Sequence, residues 1–384
     1  MRKKFGWLQT VALAVIISMI AVGCASDPKN SGGGNGASDN NAGGAGTGEK
    51  VRIDYWGGWT GADLNTMQEL VNQFNREQNE VHVEFTSMQW TPLFTKFLTE
   101  VRGGNPPEIL AMHPFELGQF AEMNVLDASM VNELNLNKDD YSDFAWEGTF
   151  YGGTQYGVPL DVHTHGLFYN KAMLEEAGFS APPKTGEELI AMARKLTIDT
   201  NGKRADEDGF DPNNIKQYGL SFNMNHHIFY QILGLLAQQN ERPFTEDMTA
   251  IEMDEQKFVN AVKFLQDLVF KYNVVPKGEK SAVDSFVGGN VAMFVDGPWQ
   301  IPKLAGSDIE WGSAPYPQVF EQPAVWGAAE ILTFPKKDLD DKKKQAVVKF
   351  VTWLDQNSGG WAQSGQLPSS KAGMEVAKGL EGRD

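Results

Sequence analysis

From residue 51 onward the chain alternates short strand-like runs with amphipathic helical stretches. Residues 51–56 (VRIDYW) read as a strand entering the loop Gly57-Gly58-Trp59-Thr60-Gly61. Leu64, Met67, Val71 and Phe74 then recur at the spacing of a helix with one buried face. Residues 81–85 alternate as a second strand. Phe94, Phe97, Leu98 and Val101 mark a second helix, which stops at Gly103-Gly104-Asn105-Pro106-Pro107. Residues 108–112 are a third strand. Strands alternating with helices predict parallel α/β layers.

The same alternation continues further along. Residues 156–160 and 166–169 read as short strands flanking Asp161-Val162-His163-Thr164-His165. A helix starts near Thr185, where Thr185 and Glu188 have capping-box spacing. Residues 199–214, rich in Gly, Asp and Asn, read as a surface loop. Phe258, Val262, Leu265 and Val269 mark another helix, and residues 291–295 a strand before the turn at Gly297-Pro298. Ala346, Phe350, Val351 and Leu354 mark a late helix, on whose buried side Trp353 falls. There is no internal repeat.

At 384 residues and 41% hydrophobic, the chain can bury a large core and fill two lobes. It carries 33 Lys and Arg against 50 Asp and Glu, a net charge of −17. Such a surface repels phosphate backbones, which argues against nucleic acid as a partner and against a polybasic membrane patch. The single cysteine, Cys24, excludes an internal disulfide.

The position of Cys24 predicts a different role. Arg2, Lys3 and Lys4 precede an apolar run at 11–22 that is short for a membrane span, and Ala21-Val22-Gly23 lead to the cysteine. This is a secretory signal layout, and it resembles a bacterial lipobox with Ala21 where Leu is usual. The expectation is a signal peptide at 1–23, lipidation of Cys24, and a Gly-, Ser- and Asn-rich tether over 24–50. A lipid, a tether and a globular body suit the extracytoplasmic face of a cell membrane. The length of the tether favours a Gram-positive surface over a periplasm.

Several motifs in order then resemble family 1 extracellular solute-binding proteins, the maltose-binding-protein-like receptors of ABC importers. These are Trp56-Gly57-Gly58-Trp59-Thr60-Gly61, Gly157-Val158-Pro159-Leu160-Asp161, Tyr169-Asn170-Lys171, Ala177-Gly178, and Pro182-Pro183-Lys184-Thr185 with Glu188-Leu189. Phe286, Gly289, Ala292, Met293, Gly297 and Trp299 supply a second signature. Gly186 stands where relatives often carry Trp, at a position expected to pack or cap.

The resemblance implies an α/β fold of two lobes joined by hinge crossings, with the ligand in the cleft between them. It places the crossings near Pro159-Leu160, Gly312 and Gln366-Leu367. The N-terminal lobe is then 51–160 with 313–366, and the C-terminal lobe is 161–312 with 367–384. Relatives usually continue further past Leu367-Pro368-Ser369-Ser370, so the second lobe is expected to lack its last helices.

A sugar offers apolar C–H faces, on which aromatic rings stack, and a rim of hydroxyls, which carboxylates, amides and imidazoles bind. The expected ligand-binding residues are Trp56, Trp59, Trp90, His113, Asp161, His163, Trp299, Trp326 and Glu330. Trp299 matches the family position that commonly stacks on a sugar ring. His163 and His165 alternate, and in a strand would share a face. Asn223, Asn225 and His226 are further contributors from the second lobe. Trp311 and Trp353 read as core.

The repeated Trp and sparse Arg in these loops favour a neutral oligosaccharide over an anion, for which Arg clusters or helix N-termini would be needed. The implied partners are the carbohydrate and the permease subunits of the importer, with no cofactor, no catalytic residue and a monomeric state. A non-sugar solute, a metal, or a carbohydrate-active enzyme are the alternatives. No Gly-x-Ser-x-Gly, His-Glu-x-x-His or nucleotide-binding loop motif occurs. The acidic loop at 199–211 has calcium-like spacing, but Lys203 occupies a ligand slot.

Overall fold

The computed structural model describes residues 49–245 and 250–380. Cys24, the expected signal peptide and all but the last two residues of the tether lie outside them. The described residues form one compact unit, organised around two sheets.

The first sheet has six strands, in the order Leu367–Pro368, Gly157–Thr164, Gly327–Thr333, Ile109–Met112, Val51–Gly57 and Val81–Ser87. Val51–Gly57 runs parallel to both its neighbours, and the other pairings are antiparallel. All four residues of Ile109–Met112 are buried, as expected of a strand covered on both faces. The helix Ala62–Glu77 seals one face with Met67, Leu70, Val71 and Phe74. The helix Asp341–Gln356 adds Ala346, Val347, Phe350, Val351 and Leu354 to the same core. The helix Trp90–Gly103 covers the other face with Leu93 and Phe97. It ends on Gly104, whose φ of 76° is the left-handed stop that glycine tolerates best.

The second sheet orders Ser221–Phe222, Met293–Asp296, Gly166–Asn170 and Trp311–Pro315. Its core joins Leu189, Met192, Ala193 and Leu196 of the helix Gly186–Leu196 to Ala261, Leu265, Leu268 and Val269 of Glu255–Phe270. The predicted capping box is present: Thr185 Oγ1 accepts from the Glu188 amide at 3.2 Å, and Glu188 Oε2 accepts from the Thr185 amide at 3.3 Å. Gly186 packs as expected, because a Cβ there would meet the Cα of Val319 at 3.1 Å.

The crossings differ from those inferred by resemblance. Residues 157–164 are one continuous strand of the first sheet, so the chain leaves that sheet at His165 and not at Leu160. Gly312 lies inside a second-sheet strand, paired with Tyr169, and the return follows at 316–326. The third expected crossing does not occur among the described residues. Leu367 and Pro368 pair with Val162 and Asp161 of the first sheet. The helix Lys371–Ala377 then packs back on the turn Ser358–Trp361, with Ser358 Oγ and Ser370 Oγ 2.7 Å apart. The lobe assignment is corrected accordingly: 49–164 and 327–380 go with the first sheet, 166–315 with the second.

One irregularity positions the site. Glu330 pairs with Asp161 and Ile331 with Pro159, which leaves Leu160 as an extra residue on its strand. Proline has no N–H for a ladder, so a bulge beside Pro159 is where an interior strand can hold it. The bulge sets Asp161 opposite Glu330.

Candidate functional site

The expected residues sit mainly where first-sheet strands and their following loops reach the second lobe. Trp59 and Trp90 follow Val51–Gly57 and Val81–Ser87, His113 follows Ile109–Met112, and Trp299 follows Met293–Asp296. The carboxyl ends of strands are the usual ligand edge of an α/β sheet. Asp161 and His163 lie within Gly157–Thr164, Glu330 lies within Gly327–Thr333, and Trp326 immediately precedes that strand.

Asp161 is fully buried and Glu330 is 3% exposed. Asp161 Oδ1 accepts from the Glu330 amide at 3.0 Å, and Oδ2 accepts from Trp361 Nε1 at 2.6 Å. Glu330 Oε2 accepts from Trp59 Nε1 at 2.8 Å. Burial, and then the negative Asp161, push the Glu330 carboxyl well above the usual range. Burial pushes Asp161 up too, but the His163 imidazole 3.4 Å away and the Glu330 side chain outweigh it and hold Asp161 low.

Around the pair stand aromatic rings. His163 lies 5.5 Å from Trp299, 5.7 Å from Trp326 and 6.3 Å from His113, centre to centre. His113 lies 4.3 Å from Trp90 and stacks on Phe115 at 4.7 Å. Trp326 stacks flat on Tyr230 at 4.1 Å and 9°. Trp299 also approaches His165 and His227. Thus Trp90, His113, Asp161, His163, Trp299, Trp326 and Glu330 come together. Gly297 makes the placement of Trp299 possible, because a Cβ there would fall 2.1 Å from the indole.

Two expectations are corrected. Trp56 turns away from the interface into the core under the helix Trp90–Gly103, where Lys96 Nζ covers its ring at 3.6 Å. Strand alternation dictates this, since its neighbour Tyr55 faces the opposite core. Trp59 is 2% exposed and wedged among Tyr55, Phe85, Trp90 and Trp361. Its ring has no free face to stack on a ligand, and its N–H holds Glu330 instead. Trp311 and Trp353 are half-buried at core edges, Trp311 against Phe168 and Trp353 against Phe74.

Other contributors were less legible. Tyr230 and His227 enter from the first turns of the helix His227–Gln238, and nothing in their local pattern distinguishes them from core positions. Asn223 is placed by a partner far along the chain, donating from Nδ2 to Asp296 Oδ2 at 2.9 Å. Asn225 accepts from the His227 amide and so starts that helix. In the loop after Asp199, that carboxylate accepts from the amides of Asn201, Lys203 and Asp211. Peptide donors therefore already organise the calcium-like stretch.

Residues 58–359 match the family of bacterial extracellular solute-binding proteins. The chain belongs to this family. Among relatives of this solute-binding protein, a maltotriose-binding protein of Pyrococcus abyssi is 25% identical over 315 residues, 80% of this chain and 63% of the relative. A maltodextrin-binding protein of Bacillus subtilis is 26% identical over 65% of this chain and 57% of its own length. The chain therefore spans about 60% of the length of these two curated relatives. In fold, this solute-binding protein is similar to an ABC substrate-binding protein of Listeria monocytogenes solved with cycloalternan. That pair has a TM-score of 0.73 at 22% identity, over 86% of this chain and 84% of the other. It is similar also to a maltose/maltodextrin-binding domain of Bdellovibrio bacteriovorus solved with maltotriose, with a TM-score of 0.72 at 22% identity, over 85% and 84%.

Proposed function

We propose that this protein is the substrate-binding lipoprotein of an ABC importer, which captures an oligosaccharide between its lobes and delivers it to the permease. One observation carries the reading: Trp299 from the second lobe faces His163 from the first, beside Trp326 stacked on Tyr230 and two buried carboxylates. Flat rings suit the apolar faces of sugars, and carboxylates and imidazoles suit their hydroxyls. Several large rings suit more than one sugar unit. The relatives named for maltotriose and maltodextrin agree with this reading.

Capture works by closure, because the ligand needs only to bind the closed arrangement better than the open one. A glycerol-3-phosphate-binding relative, 24% identical over 86% of this chain, raises an anionic ligand as the rival. A phosphate ester calls for Arg or Lys at the site, and the side chains gathered here are aromatic, imidazole and carboxylate. Cys24 is the proposed lipid attachment point, holding a monomer at the outer face of a Gram-positive membrane.

The test is isothermal titration of the soluble domain from Glu49 against maltose-, xylan-, mannan- and cellulose-type oligosaccharides and glycerol 3-phosphate. Saturable binding of intact oligosaccharide supports the proposal. Binding of glycerol 3-phosphate alone, or breakdown of the sugar, sinks it. Mass spectrometry of the membrane-extracted protein checks for a diacylglyceryl group on Cys24.

A further inference from the structure

Five of the six histidines, His113, His163, His165, His226 and His227, form one chain of ring contacts at the lobe interface. Only His82 stands elsewhere, beside Glu84. Among the described residues, two sets of side chains here could hold a metal ion. In the second lobe, donor atoms of His165, His227 and Asp296 lie within 4.8 Å of one another. In that set His165 Nδ1 is buried without a hydrogen bond, but the two imidazoles and the carboxylate otherwise bond within the protein. His165 Nε2 and His227 Nδ1 bond each other at 3.1 Å, and Asp296 accepts from the Gly297 amide, Asn223 and Gln300.

The first-lobe set is different. Donor atoms of Asp161, His163 and Glu330 also lie within 4.8 Å of one another, and all three residues are buried. His163 Nδ1 is buried and lacks a hydrogen bond, sitting 3.4 Å from Asp161 Oδ1 without hydrogen-bond alignment. A fourth donor, His113 Nε2, stands 4.0 Å from Glu330 Oε1. Among the described residues, the ion pairs of these two carboxylates are with imidazoles, and none is with Lys or Arg.

Each donor is held from behind. Trp361 Nε1 donates to Asp161 and Trp59 Nε1 to Glu330. Glu116 Oε2 lies 3.0 Å from His113 Nδ1 and holds that ring from behind, with Nε2 turned toward Glu330. Carboxylate–histidine contacts of this kind orient metal-binding imidazoles.

We propose that Asp161, His163 and Glu330, with His113 as fourth donor, form a binding site for a divalent transition-metal ion of the Zn²⁺ class. Two imidazoles and two carboxylates make an N₂O₂ set of the kind zinc accepts. Zinc bonds of about 2.0–2.2 Å put tetrahedral donors about 3.3–3.6 Å apart. The donors of Asp161, His163 and Glu330, within 4.8 Å of one another, and His113 Nε2, 4.0 Å from Glu330 Oε1, would draw inward to reach that. The ion would offset the charge of two buried carboxylates that have no Lys or Arg partner among the described residues.

The readout is metal binding by the full-length protein, independent of any sugar. After EDTA treatment and dialysis, ZnCl₂ is titrated by calorimetry and by thermal unfolding. The expected result is one saturable equivalent and a rise in Tm that EDTA reverses. Glu330→Gln mimics the protonated carboxyl, so it should keep the fold and lose this equivalent. Glu116→Gln, a positioning change, should weaken zinc about 10–100-fold, and His82→Gln should leave it unchanged.

No saturable zinc in the parent protein overturns the site. Equal zinc binding by parent and Glu330→Gln places the ion elsewhere and overturns it too. If Glu330→Gln fails to fold, loss of the equivalent in His113→Ala decides for the site, and its retention decides against it. Zinc binding without any sugar binding would leave this site standing while the carbohydrate reading fell, and the converse result would do the reverse.

Discussion

The indole of Trp361 donates to Asp161 Oδ2 at 2.6 Å across 200 residues of sequence, tying the turn after the late helix to the strand that leads into the first crossing. Both groups are fully buried, so each depends on the other. Trp361→Phe leaves a carboxylate oxygen without its donor and should cost about 1.5–3 kcal/mol of unfolding free energy. Urea denaturation measures it. A loss within 0.5 kcal/mol would mean that Asp161 finds another donor.

Trp299 is the ring that the second lobe presents to His163. Trp299→Ala should raise the Kd for oligosaccharide at least tenfold, about 1.4 kcal/mol, with little change in Tm, because the side chain is only half-buried. Unchanged affinity in a folded variant would remove Trp299 from the binding surface.

Gly365 lies on the first-lobe side with φ of 94°, and a Cβ there would sit 1.9 Å from the carbonyl oxygen of Pro298, on the second-lobe loop. Gly365→Ala must therefore part these segments as well as strain its own backbone, a cost of about 1 kcal/mol or more. The expected outcome is a larger radius of gyration by small-angle scattering and weaker ligand binding. A scattering curve identical to the parent's would show that the contact does not control closure.

Stability should fall as the medium is acidified. Burial, and then His226 and His163, push His227 down to about 4. An unfolded imidazole titrates near 6.5. Below that value the unfolded chain takes up a proton that the folded chain refuses, so stability drops from about pH 6.5 towards about 4 and is flat above. His165, His226, Tyr230 and Asp296 are the titratable groups closest to this imidazole. His227→Gln should flatten part of the slope in urea midpoints at pH 7.0, 5.5 and 4.5. An identical slope in parent and variant would contradict the assignment.

The sequence by itself determined the layered α/β class, the helix faces, the capping box at Thr185 and the loops that carry Trp90, His113 and Trp299. Those features are local: periodicity, capping spacing and glycine turns are written within a few residues. The tertiary structure alone decided which rings are free and which are core. Trp56 and Trp59 sit three residues apart beside the same glycines, yet neither ring is free. One is covered by the helix Trp90–Gly103, and the other is enclosed by Trp361, about 300 residues onward. The crossings were likewise undecided locally, because residues 157–170 read as extended on either side of His165 and only the partner strands determine where one sheet ends. The destination of residues 367–380 turned on the same kind of fact: Leu367 and Pro368 find their partners in Val162 and Asp161, a pairing that no local pattern encodes.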